Sequence, residues 1–277
     1  MRSTLNQVQG AGLGLRRAFV TDILDNPPTE IDFYEIAPEN WMLMGGKLGK
    51  QFRRLTEQHT FIAHGLSLSI GSSDSLDESF ILAIKAFLAK HQIKFYSEHL
   101  SYCSHQGHLY DLMPIPFTSE AVIHVAQRIR RVQELLEQKI ALENISYYAA
   151  PGQEMNEIDF FNAIVEEADC DILLDINNIY VNSINHGYNP LNFLQAIPAK
   201  RIAYAHIAGH YCQAEDFLID THGSSVIEPV WKLLATAYEL YGSFPTLLER
   251  DFNLPSVNEL INEVQLIRQL QTKKVVA

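Results

Sequence analysis

The stretch AYAHIAGHYCQAEDFLIDTHG, residues 203–223, carries His206, His210, Asp220 and His222 behind a short apolar run. Were it helical, His206 and His210 would share one face, and a Glu directly after the first histidine would complete a zinc-protease pattern. Ile207 stands there instead, and no such Glu occurs in the interval. Residues 201–205 alternate and run into His206 as a strand does, which makes His206 the end of a strand and places His210 in the loop after it. A short strand that hands a donor side chain to its carboxyl end is the unit to look for elsewhere in the chain.

The same unit recurs. Apolar or β-rich runs at 11–15, 31–36, 61–70, 93–97, 140–142, 172–176, 202–205 and 246–248 are each followed by a helical pattern. Their spacing, mostly about thirty residues, is that of one strand-plus-helix unit. Ser75 with Glu78, and Ser256 with Glu259, have capping-box spacing ahead of apolar periodic runs. Val122, Val125, Ile129, Val132 and Leu136 trace one helix face, ending near Lys139, and Gly242 is placed to stop the helix that contains Trp231. Eight alternating units predict an α/β chain folded as a (β/α)8 TIM barrel, a single domain over residues 1–277, with an open doubly wound sheet as the lesser alternative. The longest non-periodic piece, SYCSHQGHLYDLMPIPFT after the fourth run, is expected to cover the barrel mouth.

Composition narrows the function classes. A net charge of −12 opposes binding to a phosphate backbone, so nucleic acid is not an expected partner. The start, MRSTLNQVQG, lacks the apolar core of a signal peptide, and no run of apolar residues is long enough to span a membrane. Cys103, Cys170 and Cys212 are odd in number and show no Cys-x-x-Cys spacing, which fits a reducing, cytoplasmic setting better than a disulfide framework.

In a barrel of this type the carboxyl ends of the strands form the active face, so the polar residues there are read together. They are Glu35, His64, Glu98 with His99, Glu143 with Asn144, Asp175 with Asn177 and Asn178, His206 and Glu249. Each alone has an ordinary reading as a cap, an ion-pair partner or a hydrogen-bonded core residue. Converging on one rim, imidazoles and carboxylates need something positive to offset desolvation and repulsion, and bound cations do that. His64, His99, Glu143, Asp175, His206 and Glu249 are therefore candidate metal ligands. Nitrogen and oxygen donors without thiolate suit iron, zinc or manganese, and the donors outnumber what one ion can use. The other histidines are weaker candidates: His59, His91 and His124 as solvated or capping residues, His105 and His108 as loop residues, and His186 as a support near Asp175.

With these residues in place, the chain resembles the multinuclear non-heme iron-dependent oxidative enzymes, the family that includes the methanobactin biosynthesis oxidase. The likeness runs from GAGLGLR through FYEIAPENWM, HGLSLSIG, SEHLSY, DLMPIPFT, ALENIS, LLDINNIYVN and HIAGH to DTHG and LLERD. It implies a xylose isomerase-like TIM barrel and iron ligands at His64, His99, Glu143, Asp175, Asn178, His206, His210, Asp220, His222 and Glu249. The loop residues of that set would build a third position beside a rim pair. The resemblance also implies oxidation, with O2, of cysteine residues in a ribosomally made precursor peptide, which a small partner protein presents. Where many relatives have His-Ser before the Glu-Asn of the second motif, Ala37 and Pro38 stand here, which bears on the pocket edge rather than on the metals.

The reading is thus a multinuclear iron-dependent oxidase holding two or three ions, with zinc or manganese as alternative metals. Its rivals are a metal-dependent hydrolase or sugar isomerase on the same barrel, and a non-catalytic metal-binding protein. A phosphodiesterase would need basic residues at the rim, which has few beyond Arg16, Arg17 and Arg250.

Overall fold

The computed structural model describes residues 8–272, so most of the N-terminal stretch read above for a signal segment lies outside the described residues. From the N-terminal side, β1 (Ala11–Gly14), β2 (Phe33–Ile36), β3 (Phe61–His64) and β4 (Tyr96–His99) lie side by side and parallel. Then β5 (Tyr102–Ser104) and β6 (His108–Met113) leave the sheet as an antiparallel hairpin. The barrel resumes with β7 (Ala141–Glu143), β8 (Asp171–Asp175) and β9 (Ile202–Ile207). A second hairpin, β10 (Tyr211–Ala214) with β11 (Phe217–Ile219), follows, and β12 (Thr246–Leu248) closes the ring by pairing with both β9 and β1. The eight-stranded closed parallel barrel is the TIM-barrel fold, and the two hairpins stand at its mouth because each follows the carboxyl end of a barrel strand.

Helices α1 (Val20–Asp25), α2 (Gly46–Gln58), α3 (Glu78–Lys90), α4 (Ser119–Leu136), α5 (Glu157–Ala168), α6 (Ile176–His186), α7 (Pro190–Ala196), α8 (Glu228–Tyr241) and α9 (Val257–Thr272) occupy the connections. Their starts follow local chemistry. Thr118 and Asn156 accept the backbone N–H of Ala121 and Asp159. Ser256 and Glu259 form both halves of a capping box, as their spacing predicts. Ser75 does not cap α3: the Asp77 carboxylate takes the Phe80 N–H, and the helix opens two residues later than the sequence pattern. Gly242, with φ of 78°, ends α8 as expected.

Two expectations change in detail. The run at 61–70 is a strand only to His64. Gly65 then packs so close to β4 that an added Cβ would lie 2.0 Å from the Tyr96 hydroxyl and 2.2 Å from the Glu98 carboxylate. The mouth segment after β4 is not irregular but a hairpin, whose outer strand β6 is largely exposed and so leaves no buried period to read.

Inside the barrel the two-residue strand period sorts side chains into layers. Phe33, Ile62, Phe95, Ala141, Leu173, Tyr204 and Leu247 form one buried cluster in the lumen. Tyr34, Ile36, Ala63, Leu142, Leu174 and Leu248, one position away, face the helices and join the outer core. Gly12 leaves room for the Phe33 ring, whose edge would be 2.4 Å from a Cβ placed there. We expect Gly12→Ala to destabilise the fold by about 1–3 kcal/mol through overpacking, and Phe33→Leu to relieve part of that cost. Urea unfolding of the two single variants and the double variant measures this as a coupling free energy; strict additivity would show that the Phe33 ring is not what fills the space.

Candidate metal centre

Two residues beyond the apolar layer the strands change character. Phe33 is followed by Glu35, Ile62 by His64, Ala141 by Glu143, Leu173 by Asp175, Tyr204 by His206 and Leu247 by Glu249, and on β4 the step runs from Phe95 to Ser97 to His99. These polar residues are buried, apart from the slightly more open His99. The ladder fixes their depth, since Asp175 is in register with His206, and His99 with Glu143.

Among the described residues, four overlapping groups of three donors result: His64, His99 and Glu143; Glu143, Asp175 and His206; Glu35, His206 and Glu249; and Asp175, His222 and Glu249. Glu143 offers one oxygen to each side. Its Oε2 lies 2.9 Å from His64 Nε2 and 3.2 Å from His99 Nε2, while Oε1 lies 3.8 Å from His206 Nδ1. Glu249 Oε2 stands 2.9 Å from His206 Nδ1 and 3.2 Å from His222 Nδ1. Ligands of one ion, each roughly 2.0–2.2 Å from it, stand about 3–3.5 Å apart, so these spacings, apart from the longer one of 3.8 Å, suit donors around a shared cation.

Orphaned atoms test that fit. Glu143 Oε2, Asp175 Oδ2, Asn178 Oδ1, His206 Nδ1 and His222 Nε2 are buried and, despite close neighbours, make no hydrogen bond of acceptable geometry. Buried polar atoms are rarely left so, and four of these, on Glu143, Asp175, His206 and His222, belong to the donor groups and match lone pairs meant for a cation. The far sides of the imidazoles are held: His99 Nδ1 is 3.0 Å from the Gly65 carbonyl, and His64 Nδ1 2.8 Å from Ser97 Oγ. A carbonyl can only accept, so His99 carries its proton on Nδ1 and turns the Nε2 lone pair inward.

Electrostatics agree with a site that needs positive charge. Burial works against charge on His206 and His222, yet Glu35 and Glu249 for the first, and Asp220 and Glu249 for the second, raise both well above the usual imidazole range. For His99, burial is likewise outweighed by Glu143 and Glu98, and its pKa rises to about 9. Burial and the neighbouring Glu143 push Asp175 well above the carboxylate range. The carboxylates hold protons on the imidazoles, and cations displacing those protons serve the same balance.

Among the sequence candidates, His64, His99, Glu143, Asp175, His206, His222 and Glu249 enter these groups. Asn178, at the start of α6, has a buried Oδ1 without a hydrogen bond, its side-chain amide donates to the Asn144 carbonyl, and its backbone N–H donates to Asp175 Oδ1 at 2.6 Å. Asp220 Oδ1 lies 2.7 Å from His222 Nε2. His210 enters none of the groups: its Nδ1 bonds Asn177 Oδ1 at 2.7 Å, and Asn177 in turn donates to Asp220. Glu35, a strand-end residue left out of the ligand set, falls within a donor group. Ser97 and Tyr204, which contact Glu35 or His64, escaped notice because they lie two positions before a strand end; the signal was the same two-residue period, extended one step inward. His91 stands at the C-cap of α3, as one of its two expected roles has it, and is buried against Phe52 and Phe87 instead of solvated. His186 stacks on Tyr147 and bonds its carbonyl instead of supporting Asp175. Cys103 is buried with its thiol toward the Leu66 carbonyl, and neither it nor exposed Cys212 enters a donor group.

Known proteins resemble this chain at two levels. The D-tagatose 3-epimerase-like protein superposes with a TM-score of 0.62 at 16% identity, covering 94% of this chain and 98% of that one. The D-psicose 3-epimerase from Clostridium cellulolyticum gives 0.57 at 12% identity, with 95% of each chain covered. These likenesses concern the fold, a xylose isomerase-like TIM barrel. At the level of sequence, a "UPF0276 protein" of Shewanella loihica is 61% identical over 262 residues, 95% of this chain and 94% of its own. Residues 10–272 match the family described as "RiPP precursor modification enzyme MbnB/TglH/ChrH". Nearly the whole barrel, with every strand that carries a donor, lies inside that match, and the chain belongs to this family of enzymes that modify ribosomally made precursor peptides.

Proposed function

We propose that the protein is a multinuclear iron oxidase that modifies cysteine residues of a ribosomally made precursor peptide with O2. The observation that carries it is the set of buried, unpartnered lone pairs converging at the mouth of a barrel that belongs to a peptide-modifying family. In this reading His64, His99 and Glu143 hold one ion. Glu143, Asp175 and His206, with Glu249, hold a second. His222, Asp220, Asn178 and His210 serve a third position with Asp175 and Glu249. Iron held by these residues would supply the redox chemistry that an O2-dependent oxidation of a thiol needs.

The protein's own residues do the rest. Glu143, with two carboxylate oxygens facing different groups, ties the first two positions together, which an imidazole with a single free lone pair does not do. The two mouth hairpins flank the opening and limit water. A precursor peptide carrying cysteine is the substrate, presented by a small partner protein, and a cytoplasmic setting suits a chain with three unpaired cysteines. The sugar epimerases share the fold alone, and their chemistry is the rival outcome of the tests.

Protein purified without oxygen should carry about two or three irons per chain, because the donor set exceeds one coordination sphere. Glu143→Ala should lose metal from both rim positions and all activity. His222→Ala should lose about one ion and keep the others. Elemental analysis of both variants, with circular dichroism to establish folding, measures this; stoichiometric zinc alone after growth with ample iron would favour a hydrolase or isomerase. Equal losses in the two variants would remove Glu143 as the bridge.

The substrate has its own test. A short cysteine-bearing precursor encoded beside this chain should lose hydrogens on co-expression, read by intact mass, and its Cys→Ser variant should not. Modification that persists in the Ser variant would exclude cysteine oxidation.

A further inference from the structure

Below the donor groups a single line of hydrogen bonds crosses the barrel lumen. His64 Nδ1 is 2.8 Å from Ser97 Oγ, Ser97 Oγ is 2.8 Å from the Tyr204 hydroxyl, that hydroxyl donates to Glu35 Oε2 at 2.6 Å, and Glu35 Oε2 is 3.1 Å from His206 Nε2. Ser97 comes from β4 and Tyr204 from β9, which are separated in the ring by β7 and β8, so the tyrosine reaches across the interior and not along the wall. Glu35, Ser97, Tyr204, His64 and His206 are all buried.

The proton directions follow from the carboxylate. An ionised carboxylate accepts only, so the Tyr204 hydroxyl gives its one proton to Glu35, and His206 gives the proton on Nε2 to the same oxygen. The Tyr204 oxygen is then the acceptor for the Ser97 hydroxyl, and Ser97 Oγ accepts from His64 Nδ1–H. The other nearby acceptor for Ser97, the Ala63 carbonyl, is 3.4 Å away. With a cation in place of any second imidazole proton, both histidines turn lone pairs up: His64 Nε2 toward Glu143 and His99, and His206 Nδ1 toward Glu249, Glu143 and Asp175.

We propose that Tyr204 is a positioning residue that, through Ser97 on one side and Glu35 on the other, fixes the ring tautomer and orientation of His64 and His206 together, so that one phenol sets the ligands of two different metal positions. The inference rests on the metal-centre reading above. His99 has its own carbonyl partner and lies outside the line. Loss of a partner behind a histidine ligand costs roughly 10–100-fold in metal affinity. A tyrosine serving two histidines should therefore weaken two ions at once, whereas loss of Ser97 should weigh on the His64 side.

The test is anaerobic titration of metal-free full-length protein with cobalt(II), following the visible ligand-field bands and competing with a chelator of known affinity. Tyr204→Phe keeps the ring and its packing on Phe95. It should weaken cobalt binding about 10–100-fold at two positions and change the band intensities of both. Ser97→Ala should weaken one position, and Ser97→Thr, which restores a hydroxyl, should recover it. Wild-type binding and spectra in Tyr204→Phe, or a change at one position only, would overturn the proposal. If Tyr204→Phe does not fold, Ser97→Ala decides, since unchanged cobalt binding there breaks the line at its second link. Failure of the wild-type protein to bind any metal would instead overturn the metal-centre reading itself.

Discussion

Except for β1, which has Gly12 and Gly14 in register with Phe33 and Glu35, each barrel strand gives one inward position to apolar packing and a later one to a polar donor, and the rest of the structure depends on that two-residue step. Strand geometry lifts alternate side chains to the same face about 7 Å apart. A layer of Phe33, Ile62, Phe95, Leu173 and Leu247 can therefore seal the lumen directly beneath a ring of carboxylates and imidazoles. The apolar floor keeps water from entering from below, which makes the ring both strongly interacting and costly to leave unbalanced. Closure of the barrel completes the constraint, because Glu249 meets His206 only when β12 pairs with β9 as well as with β1.

This step also explains what could be read in the sequence. Strand-plus-helix spacing was legible because each helix must bury an apolar stripe against the sheet, as Val125, Ile129 and Val132 do on α4. Donors at strand ends were legible because His and Glu rarely close an apolar run without reason. The hairpins were not, since the exposed strands β6 and β10 bury neither face and leave no alternation. The cap of α3 was misplaced from Asp77 to Ser75 because both residue types accept from a helix N-terminus, and only the backbone path decides between neighbours. Tyr204 and Ser97 look in sequence like ordinary strand residues; their meeting depends on the width of the closed barrel, which no local pattern encodes.

The loop donors obey different physics from the strand donors. His206 is paired in parallel ladders on both sides, and Asp175 is paired with His206 on one side and donates its backbone N–H to Asn144 Oδ1 at 2.9 Å on the other, so moving either would break the wall. His222 sits on a segment between β11 and α8, and its backbone has φ of 47°, in the left-handed region that costs a non-glycine residue roughly 1–2 kcal/mol. What offsets this is local: the Asp251 N–H bonds the His222 carbonyl at 2.9 Å, the Asn253 side-chain amide bonds the carbonyl of Gly223, and the ring is drawn between Asp220 and Glu249. Asp220 is secured in turn by Ser146 and Asn177 from the β7 and β8 sides of the mouth. The loop is therefore pinned to the end of β12 and to the β7 and β8 side of the mouth, but through side chains and single backbone bonds instead of a ladder. A cation shared between Asp175, Glu249 and His222 would add a direct tie from this loop to two barrel strands, so on the proposed reading the ordering of the mouth and the filling of the third position are one equilibrium, coupled through the backbone strain at His222.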